Sequence, residues 1–426
     1  MRTGPSITGI LIFLGFLLLV DLYVFSSVKT MTIGLEVRTR KIIHWAYWLL
    51  NTALFAWCIS LLLTASPEKG MPRAFMTFFG VWVMFFVPKL LVLLVIGTED
   101  VVRGIRALYA LGYNAVSDTG GLSVGIGRRE FLSRAAGVVA LIPFVGIAHG
   151  MISGKFRFRV RRETLYFDDL PAAFDGFTIT QLSDIHAGSF DPESHKEDVK
   201  LGIALAQSQK SDLFVFTGDL VNNLADEMLP WKKEFSQLRS PYGQFSILGN
   251  HDYGDYFYGH ETSPAKTENF ERFIQTHQDI GFDLMRDRHH IIEKNGEKIY
   301  LLGVENWGGG GFPKLGKLEK ALEGVPENAF KILLSHDPSH FDQVISKHET
   351  NIHLTLSGHT HGAQFGFEIP GLKWSPVQLR YSRWAGLYKE AKRHLYVNRG
   401  FGFLGFPGRV GIWPEVTVLT LKKTSV

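Results

Sequence analysis

Three stretches near the start of the chain, Ile7–Ser26, Ile42–Leu63 and Ala74–Ile96, are apolar on nearly every side instead of along one face. At about 1.5 Å of rise per residue, each is long enough to cross a hydrocarbon core of about 30 Å. A buried helix of a soluble domain would carry an amphipathic stripe, so these read as transmembrane helices. A fourth, weaker run, Ala135–Ile152, is broken up by Pro143 and several glycines. In the third, Pro88 predicts a kink and Lys89 a side chain that snorkels to an interface, with a functional intramembrane lysine as the alternative. Beyond Ser153 the pattern changes to short β-rich runs alternating with helix-like spacing. Residues 1–153 therefore form a predicted all-α transmembrane region of about four helices (7–26, 42–63, 74–96, 135–152), and 154–426 a separate soluble domain.

In the second half, Thr178–Leu182, Leu213–Thr217, Gln244–Leu248, Ile299–Val304, Lys331–Ser335 and Leu354–Ser357 read as buried strands. Glu197–Gln209 and Thr267–Ile280 have helical spacing, which gives an α/β architecture with helices outside a sheet. Each predicted strand runs directly into a loop bearing Asp, His or Asn. Ligands of such folds sit beyond the carboxyl ends of the strands, so the functional site is sought there.

Charge adds topology. The net charge of +4 suits contact with anionic membrane surfaces and gives no ground for a specific nucleic-acid partner. Lys29, Arg38, Arg40 and Lys41 crowd the first loop, and Arg103, Arg106, Arg128, Arg129 and Arg134 the third. Placing those loops inside puts the domain after the fourth helix on the outer face, although Lys155, Arg157, Arg159, Arg161 and Arg162 weigh against it. Arg128-Arg129-Glu130-Phe131-Leu132 resembles a twin-arginine export signal, which fits a bacterial cell membrane; an ordinary basic helix flank is the alternative. The single cysteine, Cys58, lies in an apolar run and excludes an intramolecular disulfide.

The chemistry-bearing residues, in chain order, are Asp184-Ile185-His186, Gly218-Asp219, Gly249-Asn250-His251-Asp252, His336, and Gly358-His359-Thr360-His361. Carboxylate, imidazole and amide oxygen without thiolate suit divalent Mn, Fe, Zn or Co. The number of ligands implies two ions, which a bridging carboxylate can hold as a pair able to clamp a phosphoryl group.

This set, spanning most of Asp175–Leu421, resembles the calcineurin-like metallophosphoesterase superfamily, whose fold is a four-layer α/β sandwich. The resemblance implies that Asp184, His186 and His361 hold one metal, Asn250, His336 and His359 the other, and Asp219 bridges them. It also implies that His251 contacts the phosphate and protonates the leaving oxygen, with Asp252 orienting or charging it. The hydrophobic N-terminal half resembles a membrane-anchored branch of that superfamily. The expected function is a hydrolase of phosphodiester or phosphomonoester bonds whose partners are the lipid bilayer and a phosphorylated substrate, a lipid among the choices. A non-catalytic membrane sensor and a nucleotide phosphodiesterase are the alternatives.

Two further segments admit two readings each. In the stretch Asn398–Arg409, Arg399, Arg409 and the phenylalanines suit either a lipid-facing rim or a turn-rich connection with core phenylalanines. Trp307-Gly308-Gly309-Gly310-Gly311-Phe312 either borders the pocket or merely connects two elements.

Overall fold

The computed structural model describes residues 7–64, 73–114 and 126–424. The chain divides into two compact units, Met1–Ala65 with Ala74–His149, and Ser66–Arg73 with Gly150–Val426.

The first unit contains helices α1 (Ile7–Met31), α2 (Val37–Thr64), α3 (Arg73–Asn114) and the first part of α4 (Ile126–Ile152). Each helix holds a stretch long and apolar enough to cross a membrane. α3 runs well past the expected end at Ile96, through Glu99, Asp100, Arg103 and Arg106. An apolar run marks where hydrocarbon ends, whereas the backbone hydrogen-bond ladder continues as long as the residues tolerate helix. Pro88 and Pro143 both lie inside uninterrupted helices. The Arg128 side chain falls outside the described residues; Arg129 sits 3.6 Å from Asp100.

Lys89 does not snorkel. Its Nζ lies 2.6 Å from Asp21 Oδ1 and also donates to Asn51 Oδ1, while the Tyr47 hydroxyl donates to the Asp21 carbonyl at 2.9 Å. The three polar side chains come from α1, α2 and α3, each from near the middle of its span. An ammonium at that depth is far from either interface, so pairing inside the bundle is the lower-energy solution.

The second unit is built on fourteen strands: β1 (Arg159–Phe167), β2 (Thr178–Leu182), β3 (Leu213–Phe216), β4 (Gln244–Ser246), β5 (Asp283–Leu284), β6 (Arg288–Lys294), β7 (Glu297–Gly303), β8 (Phe330–Leu334), β9 (Leu354–Ser357), β10 (Phe367–Ile369), β11 (Leu372–Trp374), β12 (Gly386–Glu390), β13 (Arg393–Val397) and β14 (Glu415–Lys423). One six-stranded sheet has the order β1-β14-β2-β3-β4-β5 and the other β12-β13-β9-β8-β7-β6, with β10-β11 as a separate hairpin. β2, β3 and β4 are mutually parallel, as are β7, β8, β9 and β13.

Side-chain alternation separates the layers. Leu213 and Val215 of β3 face a shared core with Ile332 and Leu334 of β8 and Leu354 and Leu356 of β9. The intervening Phe216 turns outward toward His277 on helix Pro264–Asp279, and Leu333 outward to Phe341 on helix Ser339–Gln343. Helix, sheet, sheet and helix make the expected four-layer sandwich.

The Asn398–Arg409 stretch is interior, not a lipid-facing rim. Phe401, Phe403, Arg399 and Arg409 are at most 5% exposed. Phe401 packs among Phe158, Phe190 and Phe235, and Arg399 pairs with Glu368 and Glu415, each at 2.6 Å. The guanidinium is committed to the half-buried Glu368 and the buried Glu415, whose burial requires a partner.

Candidate metal centre

β2, β3, β4, β8 and β9 all deliver their carboxyl-end loops to one place. The turns there are tight: Asp184, His186, Asp219, His359 and His361 all have φ between 50° and 71°. Left-handed backbone in non-glycine residues costs energy that the surrounding fold must offset, and it concentrates where side chains have to be aimed.

The loops bring the candidate ligands together in two groups. On one side, His361 Nε2 lies 3.2 Å from Asp184 Oδ1 and 3.0 Å from His186 Nε2. On the other, His359 Nδ1 is 2.8 Å from Asn250 Oδ1. Asp219 Oδ2 stands between them, 3.6 Å from His186 Nε2 and 3.1 Å from His336 Nε2. Within each of the triads Asp184–His186–His361, His186–Asp219–His251 and Asp219–His336–His359, one ligand atom per residue lies within 4.8 Å of the others.

Hydrogen bonds outside the cluster aim these atoms. His336 Nδ1 donates to Thr217 O at 2.7 Å, and His186 Nδ1 faces Asn222 Oδ1 at 3.1 Å, so both rings turn Nε2 inward. Asp184 accepts the His359 N–H at 2.9 Å. The buried His336 Nε2 has no hydrogen-bond partner, although Asp219 Oδ2 is nearby. Converging lone pairs and a buried orphan nitrogen are what a cation site requires of its ligands, and the donor set fits a divalent ion.

The electrostatics agree. Burial alone would raise the Asp184 carboxyl, but the His361 imidazole reverses this and holds it at about 2. Asp219 is likewise held well below the usual range, its burial outweighed by His336 and His251. Burial lowers His186 and His359, leaving them neutral. His336 is the exception: burial opposes its charge, yet Asp219 lifts it to about 10. A divalent ion held there would take the place of that proton, because an imidazole coordinates a metal in its neutral form.

His251 and Asp252 part company. The His251 N–H donates to Asp219 Oδ1 at 2.9 Å, and its Nδ1 donates to Asn222 O at 2.8 Å. Instead of serving the ring, the Asp252 carboxylate accepts N–H groups of Asp219, Leu220 and Gly249 at 2.8 to 2.9 Å, and of Val221 at 3.3 Å. It ties the Asp219 and Asn250 loops together.

Several site residues escaped the sequence reading. Tyr256 stacks on His251 with centroids 4.3 Å apart and accepts from Asn250 Nδ2. The Tyr381 hydroxyl is 2.8 Å from His359 Nε2. Asp337 Oδ2, 3.6 Å from the same nitrogen, accepts the Gly309 N–H at 3.1 Å. The glycine-rich loop therefore borders the site, with Phe312 edge-on to His359 at 4.9 Å. Only Asp337, next to His336, carried a signal in the sequence; the tyrosines lie in loops without a motif.

Gly400 forms part of the floor. Its φ is 83°, and a Cβ there would lie 2.9 Å from Arg409 Nη2 and 3.0 Å from both Asp184 Cβ and His361 Nδ1. Gly400→Ala is expected to cost about 1–2 kcal/mol of backbone strain and to disturb the Asp184–His361 pair. Thermal melting together with bound-metal analysis checks this; a variant that melts and binds metal like the wild type would contradict it.

Two family models match the chain. One described as "Probable Calcineurin-like phosphoesterase, transmembrane domain" covers residues 6–155, and one described as "Calcineurin-like phosphoesterase" covers 177–363. The metallophosphoesterase YkuE of Bacillus subtilis (strain 168) is 30% identical over 310 residues, 70% of this chain and 98% of that protein. The chain belongs to the calcineurin-like metallophosphoesterase family. Phosphodiesterase YaeI of Escherichia coli (strain K12) is 31% identical over 302 residues, 70% of this chain and 99% of its own. A Danio rerio transmembrane protein with metallophosphoesterase domain is 26% identical over 299 residues, 67% of this chain and 62% of its own. This metallophosphoesterase is thus a metal-dependent phosphoric ester hydrolase and a membrane protein.

Proposed function

We propose a membrane-anchored, binuclear phosphoesterase acting on phosphodiester or phosphomonoester groups of a lipid or other envelope-associated substrate, with its catalytic domain on the outer face. The observation that carries the reading is Asp219 Oδ2, set between His186 Nε2 and His336 Nε2. Asp184, His186 and His361 would hold one divalent ion, Asn250, His336 and His359 the other, and Asp219 would be shared. When bound, such a pair neutralises phosphoryl charge and lowers the pKa of water.

The remaining chemistry falls to the chain. With Nδ1–H committed to Asn222 O and one face against Tyr256, His251 presents Nε2 as a proton donor to the leaving oxygen. Burial lowers its pKa, and an incoming phosphate anion would raise it again. Asp252 acts as a positioning residue. Basic residues in the first and third membrane loops support the outer-face placement, and the name of the Escherichia coli relative favours diesters.

His251→Ala in the full chain, assayed with Mn²⁺ on a chromogenic phosphodiester, should lose about 10²–10⁴-fold in kcat at unchanged metal content. Turnover equal to wild type would remove His251 as the proton donor.

A further inference from the structure

The soluble unit carries an apolar surface that the metal site does not use. Among its described residues, Tyr166, Leu201, Leu229, Ile291 and Leu315 are exposed singly, as on any soluble protein, but Phe367, Ile369, Leu372, Trp374 and Leu379 crowd one short segment. Four of these belong to the β10–β11 hairpin, whose register pairs Phe367 with Trp374 and Ile369 with Leu372. Period-two alternation puts all four on one face, between 41% and 58% exposed.

The opposite face is anchored. Glu368 accepts from Arg399 at 2.6 Å and from Arg161 at 2.7 Å, and Lys373 donates to Ala385 O at 2.6 Å. The apolar face is therefore a fixed feature, not a loose loop caught open. The hairpin starts just past the His361–Gln364 turn, and Arg399, which holds Glu368, adjoins Gly400 in the site floor.

We propose that the apolar face of β10–β11 docks into the surface of a lipid bilayer and brings the phosphoesterase site to headgroup level. Three observations select lipid over a protein partner. The same chain carries four helices apolar and long enough to span a membrane, the last ending at Ile152, immediately before this unit's first strand at Arg159, so a bilayer is always within reach. Trp374 beside aliphatic tips is the composition of interfacial anchors. The exposed Arg380, just past the hairpin, adds positive charge suited to anionic headgroups. Docking as such stands apart from the substrate assignment; its consequence for turnover rests on that assignment.

The test uses the full chain in vesicles containing an anionic phospholipid, in a Cys58→Ser background. A fluorophore at Ile369→Cys is compared with one at Lys298→Cys, an exposed position at the opposite end of the strands. Nitroxide-bearing lipid should quench the label at 369 at least about threefold more than that at 298, with iodide quenching reversed. Equal iodide quenching at both positions would overturn the proposal, as would a label at 369 shielded from both quenchers, the mark of a protein partner. Ile369→Ser with Leu372→Ser, both at exposed positions, should slow hydrolysis of a bilayer-embedded phosphodiester about tenfold and leave a soluble ester unaffected. If the wild type cleaves neither ester, the substrate assignment fails while quenching still decides docking.

Discussion

Asp219→Asn is expected to abolish turnover, lowering kcat/KM by about 10³-fold or more, and to reduce the metal bound per chain. Asparagine keeps the size of the side chain and the oxygen that accepts the His251 N–H, so the loop is retained. What disappears is the negative charge between His186 and His336. Two cations a few ångströms apart repel each other, and a neutral amide leaves that repulsion uncompensated while still blocking the space. Elemental analysis and a melting curve separate this from unfolding: the variant should melt within a few degrees of wild type yet carry less metal. Full metal content with full activity would show that Asp219 is not a shared ligand.

The second large effect lies in the helical unit. Lys89→Met leaves Asp21 in the span with its main partner gone, and removal of one member of a buried pair costs about 3–5 kcal/mol. The Lys89 and Asp21 side chains are 13% and 6% exposed, so water offers little relief. The double variant Asp21→Leu, Lys89→Met leaves no buried charge and should recover most of the loss, because a matched apolar pair is often as stable as the ion pair it replaces. Thermal unfolding in detergent, followed by circular dichroism for wild type, both single variants and the double, measures the coupling. Additive single-variant losses would mean that the contact does not hold the helices together.

Much of this architecture was legible from residue order. The strands Thr178–Leu182 and Leu354–Ser357 coincide with the observed β2 and β9 because their β-rich runs give way to Ser183-Asp184 and to Gly358-His359, turn-forming residues where the loop begins. Helix ends were less legible: α3 continues through charged residues because hydrogen bonding, not hydropathy, sets its length. Asp21 passed unnoticed, since one carboxylate in a long apolar run changes the average little and its meaning depends on facing Lys89 from another helix.

The sequence by itself determined that a membrane-spanning half precedes an α/β half and that Asp, His and Asn, the donors of a divalent-metal site, follow the strands; the phosphoester chemistry came from the resemblance of that set to the calcineurin-like family. These are local properties, written in hydropathy runs and in the residue types after each strand. Only the tertiary structure decided that Arg399 and Arg409 are interior, that Asp252 holds loops instead of orienting His251, and that the exposed apolar side chains of the second unit gather on the Phe367–Trp374 hairpin. Each of these depends on which distant segment covers a side chain, as Glu368 and Glu415 cover Arg399. Burial belongs to pairs of segments, and no single stretch of sequence contains both members.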